Sequence, residues 1–170
     1  MIKNRHFEFT QFYKFRFYFV KEMKNFIIYF AILVFFCGCA RLRFSKETIF
    51  TQSAPTPIGP YSQAVAFGNL VFVSGQIGIN PVDGSIPPDV EQQCRQTIEN
   101  IRNILSASGS ELDNVLKVTI YLTDMNDFAK INQIYSEYFK EDFPARETVE
   151  VTRLPKNAKI EISVVAYKKR

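Results

Sequence analysis

The side chains of this 170-residue chain that could do chemistry include an arginine and a glutamate near its C-terminus. Arg146 follows an apolar Phe-Pro-Ala run at the start of a predicted strand, where a guanidinium can hold a carboxylate through two parallel hydrogen bonds. Glu161 lies between Ile160 and Ile162, so its side chain points to the face opposite its apolar neighbours. There it could act as a general base that polarises water. The alternatives are an ordinary surface ion pair for Arg146 and a solvated strand residue for Glu161.

Four further residues beside apolar segments could contact a ligand through a side chain or the backbone. Ser74 and Gly75 follow a buried strand, and the glycine permits close approach of the backbone to a ligand. Tyr61 follows Pro60 in a stiff loop, and Asn132 lies beside the apolar stripe of a predicted helix, where its amide needs a partner. The alternatives are a strand-ending turn, an aromatic packed at a subunit contact and a structural hydrogen bond, respectively.

Histidine and cysteine usage excludes several kinds of site. The only histidine is His6, and the three cysteines are Cys37, Cys39 and Cys94, of which only Cys94 falls after residue 47. A histidine-based triad, a histidine-ligated metal, an internal disulfide and a zinc site are therefore excluded for that part of the chain. Any chemistry must come from carboxylate, arginine, hydroxyl, amide and backbone groups.

Charge is distributed unevenly along the chain. The formal net charge is +4, but residues 1–47 contain nine Lys/Arg and three Asp/Glu, whereas residues 48–170 contain twelve and fourteen. The later part is therefore mildly acidic, which argues against nucleic acid as its partner, because such binding needs clustered Lys/Arg on the fold.

The hydrophobic pattern predicts an α+β fold. Apolar residues at a spacing of three and four predict a helix opened by Asp89 and stopped by Gly109, with Cys94 packed in its stripe, and a second helix follows. The predicted order is β-β-β-α-β-α-β-β, a mixed sheet with two helices on one face. The other face of the sheet mixes apolar, polar and a few charged side chains, so it is neither a typical core nor a typical solvent-exposed surface. This mixture predicts association with further copies of the chain. The predicted strands are 48–51, 64–67, 70–74, 115–122, 146–153 and 159–167, and the second helix is 126–139.

Four segments, in this order and spacing, resemble the RidA/YjgF (RutC-like) family of reactive-intermediate deaminases. The resemblance covers about residues 47–168, and the combination of segments is more specific than any one of them. The segments are Ile58-Gly59-Pro60-Tyr61-Ser62-Gln63-Ala64, Val73-Ser74-Gly75-Gln76-Ile77-Gly78, Phe143-Pro144-Ala145-Arg146, and Arg153-Leu154-Pro155-Lys156 with Ile160-Glu161-Ile162.

The resemblance implies a chorismate-mutase-like fold, a homotrimer whose sheets form a central barrel, and sites in clefts between subunits. It implies hydrolysis of enamine and imine intermediates such as 2-aminoacrylate and 2-iminopropanoate to a 2-oxo acid and ammonia. Because a protonated imine is already electrophilic, neither a metal nor any other cofactor is expected. The expected partners are small imino or enamino acids and two further copies of the chain.

The resemblance also assigns roles to individual residues. Arg146 matches the arginine that binds the substrate carboxylate, and Glu161 matches the acid that orders the attacking water. Thr148 stands where the family commonly has cysteine, so a thiol contact is missing while the backbone can still donate. The residues matching the substrate-binding pocket are Tyr61, Ser74, Gly75 and Asn132.

The last two strands predict how the site is assembled. If 146–153 and 159–167 form a hairpin, Glu161 lies opposite about Val151–Thr152, roughly 16–20 Å from Arg146 at about 3.3 Å per residue. A three-carbon imino acid is too short to touch both residues. Arg146 and Glu161 at one substrate should therefore come from different subunits.

Residues 1–45 are predicted to be a leader outside the fold, and residues 46–170 the domain. The apolar run at 26–36 is too short to span a bilayer but suits a secretory signal. Read from Met23, the segment resembles a lipoprotein signal with Cys39 lipidated, although Phe36 departs from the usual Leu; alternatively, the natural start lies further downstream. The expected location is the cytoplasm by family resemblance, or the membrane if Cys39 is lipidated.

Three functions remain open at this stage. The first is imine deamination, and the second is a non-catalytic trimer that binds small carboxylates as a regulator. The third is RNA cleavage or inhibition of translation, which has been attributed to family members. The acidic domain and its lack of histidine count against the third function.

Overall fold

A computed structural model describes Met23 and residues 45–169 of the chain. The pattern of contacts between residues divides the chain into two compact units, of which the second is Phe44–Arg170. The apolar run at 26–36 and Cys39 lie outside the described residues, so the leader remains a prediction. Within the described part, no helix combines the length and hydropathy needed to cross a membrane.

The domain consists of one six-stranded sheet and two helices, as the α+β pattern predicts. The strand order is β1-β2-β3-β6-β4-β5, in which only the β4–β5 pair is parallel. The bounds are β1 Lys46–Ile49, β2 Ala64–Phe67, β3 Leu70–Ile77, α1 Val90–Ala107, β4 Val115–Leu122, α2 Phe128–Tyr138, β5 Ala145–Glu150 and β6 Ile160–Tyr167.

Helix α1 forms where its cap and apolar stripe predict it. The Asp89 carboxylate accepts a hydrogen bond from the backbone N–H of Gln92 at 2.8 Å, and Gly109 takes a φ of +78° just after the helix. Cys94 is buried within the stripe, and burial raises the pKa of its thiol to about 12. The prediction of a packed thiol is therefore confirmed. The buried stripe comprises Val90, Cys94, Ile98, Ile101 and Leu105.

The core lies on one face of the sheet, under both helices. Alternate residues of the neighbouring interior strands β4 and β6 are buried there, and α2 adds three buried residues of its own. The half-exposed residues of the same strands lie on the other face. The buried set is Val118, Ile120 and Leu122 of β4, Ile160, Ile162, Val164 and Ala166 of β6, and Ile131, Ile134 and Tyr135 of α2.

The sequence pattern misplaces the start of β4. Strict alternation over 115–122 predicts that Leu116 shares one face with Val118, Ile120 and Leu122 and that Val115 lies on the other, but Val115 is buried and Leu116 is exposed. The register between β4 and β6 shifts between Val115 and Lys117. Such an irregularity inverts the alternation of side chains beyond it, which a strict period of two cannot predict.

The predicted hairpin of the last two strands is wrong. β5 pairs with β4 in parallel at the edge of the sheet, and β6 lies between β3 and β4. Composition fits the arrangement: β5 reads ARETVE and is largely exposed, which suits an edge, whereas β6 reads IEISVVAY and is mostly apolar, which suits an interior strand. Glu161 is therefore opposite Tyr121 and Ile77 rather than Val151–Thr152.

A chain that begins at Lys46 should keep its fold, with a melting temperature within a few degrees of that of the full chain. The first strand begins at Lys46, and the described core contains no residue before Ile49. Thermal unfolding followed by circular dichroism measures the difference. A chain that begins at Gln52 is the control: it lacks β1 and should be clearly less stable. A large loss on removing residues 1–45 alone would contradict the predicted domain boundary.

Candidate active site

A cavity of about 260 Å³ collects four of the seven predicted site residues: Tyr61, Ser74, Gly75 and Glu161. Most of its remaining wall is apolar, and we call it the Glu161 pocket. That wall includes Pro55, Pro57, Ile58, Ile77, Ile79 and Pro155. A mainly apolar cavity raises the pKa of a carboxyl group inside it, and a carboxylate with a raised pKa is a stronger base near neutral pH.

An irregularity in β3 brings its backbone against Glu161. The β3–β6 register shifts between Val73 and Gln76, and the extra residue lies in the intervening Ser74-Gly75 segment. A Cβ atom added to Gly75 would lie only 1.9 Å from Oε1 of Glu161. The missing side chain of Gly75 therefore allows the Glu161 carboxylate to lie directly against the backbone of β3.

Two hydrogen bonds hold this segment in place. The Ser74 backbone N–H donates to the carbonyl of Gln63 at 3.0 Å, and its hydroxyl donates to the carbonyl of Ser62 at 2.7 Å. Ser74 is thus a structural clamp between β3 and the Pro-rich loop, in addition to its place in the pocket wall.

Gln63 organises the loop that forms the outer wall of the pocket, a role that the sequence analysis missed. Its side chain is buried; Oε1 accepts from the N–H of Thr51 at 2.7 Å, and Nε2 donates to the carbonyls of Thr51 and Pro55 at 3.0 and 2.9 Å. A glutamine that satisfies backbone groups of one loop fixes its path. Gln63 lies in the Ile58–Ala64 segment that resembles the family, but the sequence does not indicate that its side chain is buried.

The hydroxyl of Tyr61 is oriented by the same loop. It accepts a hydrogen bond from the backbone N–H of Ile58 at 3.2 Å. Because that bond uses a lone pair, the O–H of Tyr61 can still donate to a bound ligand.

Glu161 faces the pocket without a compensating charge. Among residues 45–169, no lysine or arginine forms an ion pair with it, and burial raises the pKa of its carboxyl above the ordinary value. A higher pKa makes a carboxylate a stronger base toward water.

The other predicted residues lie around Arg146, on β5 and α2, and we call this group the Arg146 site. The Arg146 guanidinium carbon lies 4.7 Å from the ring centre of Tyr135 and 5.8 Å from that of Phe128. Asn132 lies on the same helix, four residues after Phe128 and three before Tyr135, so the three share one face.

Thr148 offers a backbone donor at the open edge of the sheet. The N–H of Val151 donates to the carbonyl of Leu122, which turns the N–H groups of alternate residues toward β4. The N–H of Thr148 therefore points away from β4, and no strand of the described sheet lies beyond β5. Together with the Arg146 guanidinium, it can receive a carboxylate despite the absence of a thiol.

The Glu161 pocket and the Arg146 site lie on opposite faces of one sheet. Arg146 is opposite Val118, whose side chain is in the core beneath the helices, whereas Glu161 is opposite Tyr121 on the other face. Three residues of β4, roughly 10 Å, separate the two positions along the strand. One small substrate cannot touch both residues of the same subunit, although the reason is the face and not the predicted hairpin register.

Comparisons with known proteins match the whole of this domain. Residues 51–168 match the family model described as Endoribonuclease L-PSP. The chain is 58% identical over 124 residues to a RutC family protein of Pyrococcus horikoshii, which covers 72% of this chain and 98% of that protein. It is 45% identical over 127 residues to the 2-iminobutanoate/2-iminopropanoate deaminase of Escherichia coli, and the match covers 73% of this chain and 99% of that protein.

A solved structure with the same fold is E. coli TdcF with bound serine. It has a TM-score of 0.70 and 44% sequence identity, and it covers 72% of this chain and 99% of that one. The family match, the identities and the fold agree with one another, and the chain belongs to the RidA/YjgF (RutC) family.

Proposed function

We propose that the chain hydrolyses 2-aminoacrylate and 2-iminopropanoate to a 2-oxo acid and ammonia, as a homotrimer. Relatives named as 2-iminobutanoate/2-iminopropanoate deaminase support imine deamination as the general activity. The observation that supports the assembly most is the pair of half-sites on opposite faces, each holding part of the chemistry. In a ring of subunits, the Glu161 pocket of one copy can face the Arg146 site of the next.

The surfaces around both half-sites suit such an assembly. Ile58 and Tyr61 are exposed at the Glu161 pocket, and Phe128, Phe143 and Val149 are exposed on or near β5 and α2. On the sheet face without helices, Phe72 is 45% exposed. Apolar groups of this size at the surface indicate burial against a partner.

2-Aminoacrylate becomes 2-iminopropanoate when a proton moves from its nitrogen to its methylene carbon. Hydrolysis of the imine then needs a held carboxylate, a polarised imine carbon and a base for water. Arg146 and the N–H of Thr148 would bind the substrate carboxylate, which fixes the imine carbon near Glu161. Glu161 would take a proton from the attacking water and return it to the nitrogen as ammonia leaves. One water is consumed, the C–N bond breaks and the 2-oxo acid forms, so neither an oxidant nor a metal is required.

Arg146→Ala should lower kcat/KM for the imine by about 100-fold or more, because the bidentate carboxylate contact is lost. The measurement is ammonia release from 2-aminoacrylate generated in the cuvette, corrected for spontaneous hydrolysis. Arg102→Ala is the control, since Arg102 lies over Tyr138 and pairs with Glu99 on the helix surface.

Wild-type protein that binds 2-oxo acids without accelerating hydrolysis would instead favour the regulatory trimer. Incubating RNA with the same preparation and measuring its degradation tests the endoribonuclease activity that the family description names.

Light scattering should report three times the chain mass for the purified protein, and also for a chain that begins at Lys46. The expectation follows from the half-exposed sheet face and the divided site. Phe72→Glu places a charge on that face and should shift the mass toward the monomer. A wild-type monomer at micromolar concentration would contradict the proposed assembly.

A further inference from the structure

Two aromatic rings, rather than an acidic side chain, hold the guanidinium of Arg146. Its Cζ lies 4.7 Å from the ring centre of Tyr135 and 5.8 Å from that of Phe128. Among residues 45–169, no carboxylate forms an ion pair with Arg146, whereas Arg95 pairs with Glu137. The environment of Arg146 is thus unlike that of an ordinary surface arginine.

An aromatic face attracts a guanidinium without using its N–H groups. The attraction acts between the cation and the negative face of the ring, whereas the N–H donors point outward in the guanidinium plane. A carboxylate partner would instead occupy the bidentate edge. We propose that Phe128 and Tyr135 are positioning residues that orient Arg146 while leaving its donors available to the substrate carboxylate.

Tyr135 is the fixed member of this pair. Its side chain is buried, and its ring stacks on Phe139 at 4.3 Å between ring centres. Its hydroxyl has no hydrogen-bond partner among the described residues, and burial raises its pKa to about 12. The ring, and not the hydroxyl, is therefore the part that acts on Arg146.

Phe128 is the exposed member of the pair: it is 38% exposed, at the start of an amphipathic helix. It lies seven residues before Tyr135, so the two rings project from the same face of α2. The contact with the guanidinium of Arg146 accounts for a phenylalanine at this exposed position.

Four variants separate the ring from the hydroxyl and from simple packing. Phe128→Leu, which removes an exposed cation–π contact, should raise KM for the imine by roughly two- to five-fold, and Tyr135→Leu, which removes a buried ring, by roughly five- to thirty-fold, with kcat changed less than KM. Tyr135→Phe and Phe128→Tyr keep the rings and should remain within about two-fold of wild type. Tyr138→Leu is the control, because Tyr138 is on the same helix as Phe128 and Tyr135 but its ring contacts Arg102 of α1, at 5.2 Å from Cζ to the ring centre.

Two readouts remain valid without turnover, which matters because the inference rests on the proposed function. In wild-type protein the Nε–H proton of Arg146 should resonate upfield from ring currents, and Phe128→Leu should move it downfield in a protein that remains folded. The dissociation constant for 2-oxobutanoate should rise with KM. If wild type fails to hydrolyse imines but these two results hold, the proposed function fails and the positioning role stands. An unshifted resonance, or a Tyr135→Phe variant as impaired as Tyr135→Leu, would overturn the positioning role.

Discussion

Gly75→Ala should lower kcat for imine hydrolysis by about 100-fold, because a new Cβ would occupy the place of the Glu161 carboxylate. The carboxylate must move by an ångström or more, and a displacement of that size is enough for such a loss. Stability should fall by no more than about 1 kcal/mol, since the end of a flexible side chain can move and alanine suits an extended strand better than glycine. Steady-state kinetics and thermal unfolding measure the two effects.

Two companion variants show whether the effect of Gly75→Ala acts through Glu161. In a Glu161→Ala background there is no carboxylate to displace, so adding Gly75→Ala should cause no loss of stability, or a gain of up to about 1 kcal/mol, and should leave the affinity for 2-oxobutanoate unchanged. Gly78→Ala should behave differently, because its Cβ would lie 2.7 Å from the Cα of Gln93, a backbone atom. We expect it to destabilise the fold by about 1–3 kcal/mol. Equal stability losses at Gly75 and Gly78 would indicate that Gly75 is only a packing position.

Glu161→Gln should lower kcat by about 10²- to 10⁴-fold, the usual contribution of a general base. Glutamine is close in size to glutamate, so the shape of the pocket and the KM should change little. In wild type, kcat/KM should fall as the pH drops, with a midpoint above the ordinary pKa of a glutamate because burial raises that of Glu161. The variant should lose this acid limb. A variant with near-normal kcat would remove Glu161 from the mechanism.

The same substitution should also increase stability at neutral pH. Because burial raises the pKa of Glu161, the folded chain binds this proton more tightly than the unfolded chain. Stability from this group is therefore greatest at low pH, and it is lost as the pH rises from the unfolded to the folded pKa. Glu161→Gln should melt higher than wild type at neutral pH, and the difference should shrink at acidic pH. The opposite trend would mean that the ionised carboxylate has a stabilising partner.

The sequence predicts the elements and site residues well where the signal is local. The capped helix with Cys94 in its stripe and the element order are all found in the structure. Glu161 is on the face opposite Ile160 and Ile162, because alternation depends only on the strand itself.

The sequence fails where the answer depends on which strands are neighbours. The short connection at 154–158 favours a hairpin, yet β5 joins the far side of β4 because its charged residues suit an edge. Phe128 and Tyr135 resemble core positions of a helix, and only the pairing of β5 places Arg146 above them. Local periodicity contains no information about such a contact.

Mixed assembly of two inactive chains tests the shared site most directly. Arg146→Ala and Glu161→Ala chains are unfolded, refolded together in equal amounts and assayed, and native mass spectrometry shows whether mixed trimers form. If each cleft takes Arg146 from one subunit and Glu161 from another, random mixing should leave about a quarter of the clefts with both residues. Activity should then return to about a quarter of that of refolded wild type, while each variant refolded alone stays inactive. Mixed trimers without activity would contradict the divided site and place both residues in one subunit.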